Sequence, residues 1–328
     1  MEKNVFVYWK EPGKKEIFTI ARPHVKKISE PLLSTEGFLF FPYKKNNSGY
    51  FIKGEIEETS ELTFPQITGK RNASHIHDTS KKYIYLVKKA LEKMREDNFE
   101  KVVLARSDSH NLPDAFRLKT FFEKLCKTYT NAFVYCISLE KEIWIGATPE
   151  VFLKKEDNLF LTFALAGTRP LNPPLLFGEK EKEEQHYVKK YIVDLLKKQN
   201  VQSIEISETA ELNTGNLKHL ITEIRFTTKD PLDFICQLHP TPAVCGEPVN
   251  KAEKFIDENE NLDREYYSGF LGPVFKRGDF SFWVNLRCAK IDNGQITFYA
   301  GAGITKDSSP EAEWHETENK MDTLRKFL

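Results

Sequence analysis

Apolar residues recur along this chain at two periods, and each period marks a kind of element. Ile84, Val87, Leu91 and Met94 stand three or four apart, with lysines and glutamates between them. That spacing places them on one face of a helix opened by Thr79-Ser80. Val188, Ile192 and Leu195 do the same within a charged helix over residues 180–198. Phe121, Phe122 and Leu125 form the apolar face of a shorter helix, with Asp114 as its expected cap. Residues 248–259 read as another helix. Ser309-Pro310 opens the last one, with serine at the N-cap and proline at the first helical position.

Elsewhere the apolar residues run together in short stretches, as strands do. Such runs cover residues 5–9, 37–42 and 101–106. Three more lie close together at 132–139, 142–146 and 159–166, a spacing that suits antiparallel pairing. Residues 217–226 fit a strand or a mixed segment. Residues 280–291 and 295–300 predict a hairpin turning at Asp292-Asn293-Gly294, since Asn-Gly is a strong turn signal. Strands and helices mix without strict βαβ alternation, so the fold class is α+β with a large antiparallel sheet. No repeat or Pro/Gly-rich linker divides the chain. One domain over 1–328 is expected, with a strand-rich part at 1–75 and a motif-bearing part at 80–328.

Composition narrows the function classes. Lys plus Arg and Asp plus Glu number 48 each, for a formal net charge of zero. A nucleic-acid binder would carry a basic excess. With 40% hydrophobic residues the chain is no acidic disordered protein. No apolar stretch approaches the ~18 residues of a membrane span, and residues 1–10 lack a secretory pattern. The five cysteines form no CxxC and the eight histidines no HxxxH. Free thiols, a cytoplasmic setting and no transition-metal cage are the expectations.

Six of the 16 glycines fall in five short segments: 146–150, 166–170, 239–246, 267–269 and 300–303. Glycine beside Thr, Arg or Glu at a strand end suits close approach of backbone to a ligand. Any one segment reads better as an ordinary turn, but five together point to a shared cleft. Gly301-Ala302-Gly303 is not GxGxxG, so a dinucleotide site is not supported. Glu181 and Glu184 lie three apart on one helix, and Glu313 and Glu316 three apart on another. Such pairs share a helix face and could converge on Mg²⁺. First-turn acids are also favoured by the helix dipole, and Glu316 with Lys320 is an ordinary i,i+4 pair. Spacing alone leaves both readings open.

Taken in order, the segments KVVLAR (101–106), GATPE (146–150), ALAGTRP (164–170), HLITEI (219–224), HPTPAV (239–244), AGAGI (300–304) and EWHETENK (313–320) resemble the chorismate-utilising enzymes. Within that family they look most like isochorismate synthases, with salicylate synthase as the alternative. The resemblance covers residues 80–328 and implies an anthranilate synthase component I-like fold, with two antiparallel sheets packed together and helices outside. It implies a Mg²⁺-dependent isomerisation of chorismate. Lys101 matches the base that activates water, and Glu150 the acid that protonates the departing hydroxyl. Glu184 and Glu313 match metal positions, with Glu181 and Glu316 in support. Arg287 and Tyr267 match a pyruvyl-carboxylate site, and Lys320 a ring-carboxylate contact. Gly167, Thr168, His219, Ala243, Gly301 and Gly303 would complete the pocket. Order differs at one point, since Gln185 separates Glu184 from His186. The resemblance also implies a monomer without an amidotransferase subunit, feeding menaquinone or siderophore synthesis.

Overall fold

The computed structural model describes residues 5–67, 79–96, 98–139, 142–171, 176–199, 201–214 and 217–328. The chain opens with strands β1 (Phe6–Lys10), β2 (Phe18–Ile28), β3 (Gly37–Phe41) and β4 (Gly49–Glu58). Helix α1 (Thr79–Arg95) leads into β5 (Lys101–Asn111), and α2 (Leu118–Thr128) into β6 (Phe133–Leu139). Strands β7 (Glu142–Thr148), β8 (Val151–Glu156) and β9 (Leu159–Pro170) follow. Helix α3 (Glu179–Lys198) precedes β10 (Gln202–Ile206), β11 (Ala210–Thr214) and β12 (Leu217–Thr227). Then come α4 (Pro231–Leu238), β13 (Gly246–Glu247), α5 (Val249–Asn259) and β14 (Phe270–Val274). The chain closes with β15 (Phe280–Val284), β16 (Cys288–Asp292), β17 (Gln295–Thr305) and α6 (Pro310–Arg325).

Every pairing is antiparallel. One arm of the sheet runs β13-β5-β17-β16-β7-β6-β1-β2. The other runs β4-β3-β14-β15-β8-β9-β12, with β10 and β11 both on β12. Strand β2 joins them through β4 and bends at a register shift between Ala21 and His24, where Arg22 has φ 49°. The two packed layers expected from sequence are therefore arms of one hydrogen-bonded sheet. Aromatic rings fill the space between the arms. Phe133 of one arm stacks on Trp283 of the other with centroids 3.9 Å apart.

Alternation along β5 sets up the site. Val102 and Leu104 point into an apolar cluster with Val87 of α1 and Phe255 of α5. Lys101, Val103 and Ala105 therefore take the opposite face, together with Thr305, Gly303 and Gly301 across the β17 ladder.

Two local expectations need correction, and a third, the Ser309 cap, holds. Helix α2 begins at Leu118, so Asp114 is not its cap; Arg117 holds that position and its guanidinium donates to the Asp114 carbonyl. Residues 280–291 are not one strand, because the ladder breaks at 285–287, where Arg287 has φ 47°. Ser309 is the N-cap of α6 but makes no side-chain capping bond.

Candidate active site

All five glycine-bearing segments reach one pocket. Pro149, Ala166, Val244, Ser268 and Ala300 each line it, one from each segment, around about 760 Å³ of empty space counted out to its mouth.

Lys101 and Glu150 face this space from different segments, a strand and a turn. Lys101 opens β5 and is 2% exposed. Burial holds its pKa below the usual lysine value, against the pull of Glu184 and then Glu150. Glu150 follows Pro149 in the turn after β7, and its carbonyl accepts from Val284 N at 2.9 Å. Burial pushes its carboxyl up to about 7, against Lys101, Arg287 and Lys320. A buried amine pushed toward neutrality and a carboxyl able to hold a proton near pH 7 make a base and an acid in one pocket.

Positive and polar groups form another wall. The break at 285–287 is locked by Asn285, which is fully buried. Its Nδ2 donates to Tyr266 O at 2.8 Å, its N to Gly269 O at 2.8 Å, and its O accepts from Ser268 N at 2.9 Å. These bonds tie the Tyr267 segment to the Arg287 segment, so the two residues enter the pocket together. Tyr267 stacks on Tyr299 with centroids 5.7 Å apart, and burial raises its pKa. Lys320 Nζ donates to Gly301 O at 2.8 Å and pairs with Glu316 Oε1 at 2.6 Å. His219 sits on β12 opposite Thr168; burial, then Arg287 and Lys320, push it down to about 3, so it is neutral. The Thr168 side chain lies outside the described residues. Ala243 lines the mouth from the segment after α4.

The glycines make room. A Cβ on Gly303 would meet Lys101 Cε at 3.2 Å and Glu184 Cδ at 3.6 Å. Gly167 has φ 70°, and a Cβ there would lie 2.7 Å from Glu181 O, so α3 rests directly on the β9 backbone.

The four carboxylates do not act as one set. Glu181 is committed elsewhere: Arg169 Nε lies 2.9 Å from Oε1, and Oε2 accepts from Arg169 Nη2 at 3.0 Å and from Gly178 N at 2.8 Å. Arg169 and the Gly178 backbone at the start of α3 thus engage both of its oxygens. Glu184 is pushed up to about 7 by burial, against Lys101 and Lys180. Glu313 is 1% exposed, and burial and then Glu316 raise its pKa. Burial opposes ionisation of Glu316 too, but Lys320 holds it below the usual carboxylate range. Lys180 Nζ lies 2.6 Å from Glu313 Oε1 and 3.8 Å from Glu184 Oε1. Among the described residues no three acidic, histidine or cysteine side chains already ring one point. Glu313 Oε2 is nonetheless buried without a hydrogen-bond partner. Hard oxygen donors with an orphaned carboxylate oxygen suit Mg²⁺, and Glu184, Glu313 and Glu316 are the residues that fit it.

The sequence reading missed Lys180, Ser268, Leu286 and Tyr299. Lys180 carried one signal, its i,i+4 spacing to Glu184; the others are ordinary residues beside quoted segments.

The sequence pattern of chorismate binding enzymes matches residues 52–328. The chain belongs to the chorismate-binding enzyme family. Within it, the chain is 30% identical over 239 residues to the isochorismate synthase EntC of Escherichia coli K12, covering 69% of this chain and 61% of that protein. It is 32% identical over 252 residues to the isochorismate synthase MenF of Haemophilus influenzae, covering 73% of this chain and 58% of that protein. The matched part thus spans about three fifths of these relatives' length. The fold is shared with MenF, the menaquinone-specific isochorismate synthase of Escherichia coli, at a TM-score of 0.83 and 22% identity over 100% of this chain and 89% of that one. Anthranilate synthase component I of Streptococcus pneumoniae superposes at 0.73 with 17% identity, over 99% and 91%. No helix among the described residues is long and apolar enough to cross a membrane.

Proposed function

We propose that this chain is a Mg²⁺-dependent isochorismate synthase, an isomerase that moves the hydroxyl of chorismate from C4 to C2. The observation that carries the reading is the pair in one pocket: a buried lysine whose pKa burial lowers and a buried glutamate pushed up to about 7. Lys101 takes a proton from water as its oxygen attacks C2. The ring double bonds shift, and Glu150 gives its proton to the C4 hydroxyl, which leaves as water. One water enters and one departs, so the net change is isomerisation. Each proton transfer of this kind contributes about 10²–10⁴ in rate. Arg287 and Tyr267 hold the pyruvyl carboxylate, with guanidinium geometry suited to two parallel bonds. Lys320, neutral His219 and the backbone at Gly167, Thr168, Gly301 and Gly303 orient the ring, and Ala243 borders it.

Glu184, Glu313 and Glu316 would hold Mg²⁺, which when bound supplies positive charge for the ring carboxylate and the reacting centre. A lysine at position 101 favours water over ammonia as nucleophile, so no amidotransferase subunit is needed. Quinone or siderophore synthesis is the proposed use of the product, the first in line with the menaquinone-specific relative.

The test is incubation with chorismate and Mg²⁺, with products followed by NMR. Isochorismate without pyruvate is the expected result. Stoichiometric pyruvate with salicylate would make the protein a salicylate synthase, and product formed only with ammonia would overturn the water mechanism.

A further inference from the structure

We infer that Lys180 is a resident cation of the carboxylate cluster: its ammonium stands where a divalent ion would sit between Glu184 and Glu313, and the two compete. This rests on the Mg²⁺ reading above. Lys180 lies in the first turn of α3, where the helix dipole disfavours positive charge. A local rule broken inside a functional cluster calls for a compensating partner. That partner is Glu313, 133 residues away on α6, with Nζ 2.6 Å from Oε1. Glu184 Oε1 lies 3.8 Å from the same nitrogen.

The ammonium satisfies this cluster only in part. Glu313 Oε2 remains buried without a hydrogen-bond partner. Glu184 also faces Lys101, and Glu316 is already paired with Lys320. A single charge on a flexible stem thus holds the two remaining carboxylates in place. The Lys180 side chain is 26% exposed and that of Glu313 only 2%, so lysine is the member free to swing toward water. Its four-carbon stem makes that movement easy. A dication would answer both Glu313 oxygens and Glu184 together, and it cannot share that space with the ammonium. Lys180 therefore keeps the metal-free site folded and weakens metal binding.

The test compares Mn²⁺ binding, followed by its free-ion EPR signal, in the full chain, Lys180→Met, Lys180→Arg and Glu313→Gln. Melting curves with and without Mg²⁺ accompany it. Lys180→Met is expected to bind Mn²⁺ at least tenfold more tightly than the parent. It should melt lower without metal and gain more from Mg²⁺. Lys180→Arg, which keeps the charge, should bind no more tightly than the parent. Equal or weaker binding by Lys180→Met, with Glu313→Gln still weaker than the parent, overturns this inference and leaves the metal reading standing. Binding that is absent from the parent and Lys180→Met, or unchanged by Glu313→Gln, overturns both.

Discussion

Two groups of buried charge touch strand β5, and they meet burial in opposite ways. In the first, Arg264 donates to Glu260 at 2.6 and 2.7 Å, to Val244 O at 2.9 Å and to Val103 O at 2.7 Å. Glu260 also accepts from Ala105 N at 2.7 Å. Burial opposes ionisation of Arg264, but Glu260, Tyr43 and Tyr267 together outweigh it and raise the pKa. In the second, Lys101, Glu150 and Glu184 share a pocket, and burial outweighs the attraction between them. Both groups are desolvated. Only in the first is desolvation answered by close hydrogen bonds, and there the charges are fixed. In the second, burial brings Glu150 and Glu184 up to about 7 and lowers the Lys101 pKa, a direction that suits acid–base chemistry. The satisfied pair ties together β5, the end of α5 and the 244 segment.

The strongest way to break this contrast is to remove a member of the pocket. Lys101→Ala and Glu150→Gln should each lower kcat by about 10²–10⁴ while far-UV circular dichroism stays unchanged. Near-normal turnover in Lys101→Ala would remove the water-activation argument. Removing a member of the satisfied pair should do the reverse. Arg264→Met leaves Glu260 charged and buried, a loss of about 3–5 kcal/mol in urea unfolding, with turnover per folded molecule retained. A loss under about 1 kcal/mol would show that the pair is not structural.

A smaller effect probes the spacing in the pocket. Gly303→Ala would press on Lys101 Cε, so kcat should fall about tenfold with an unchanged unfolding midpoint. Parent-like kcat would mean that the Lys101 position is not critical. The mildest probe is pH. In the proposed reaction Glu150 acts in its protonated form, and it holds its proton below about 7. The kcat/KM profile should therefore fall by up to about tenfold per unit above that point. A flat profile from pH 7 to 9 would separate Glu150 from the proton transfer.

Much of the site was legible because each segment pairs a chemical residue with a glycine or proline at an element's end. Five such segments predicted one cleft, and they meet in one. The missed parts have physical causes. Strand β2 carries Pro23 and outward lysines, which disguise it as loop, and β8 is separated from β7 only by Pro149-Glu150. The apolar residues of 280–291 continue across a break that hydrophobicity does not register, since Arg287 turns on backbone conformation. Glu181 shares a helix face with Glu184, but Arg169 and the Gly178 backbone engage its oxygens. Lys180 reads as a surface lysine because Glu313 is distant in sequence.

The central claim is that the buried Glu150 carboxyl holds its proton at neutrality. It is tested most directly by a carbon-13 NMR titration of carboxyl-labelled glutamate, with Glu150→Gln to assign the resonance. The account predicts a Glu150 midpoint near 7. A midpoint at the ordinary glutamate value of about 4.3 would contradict it.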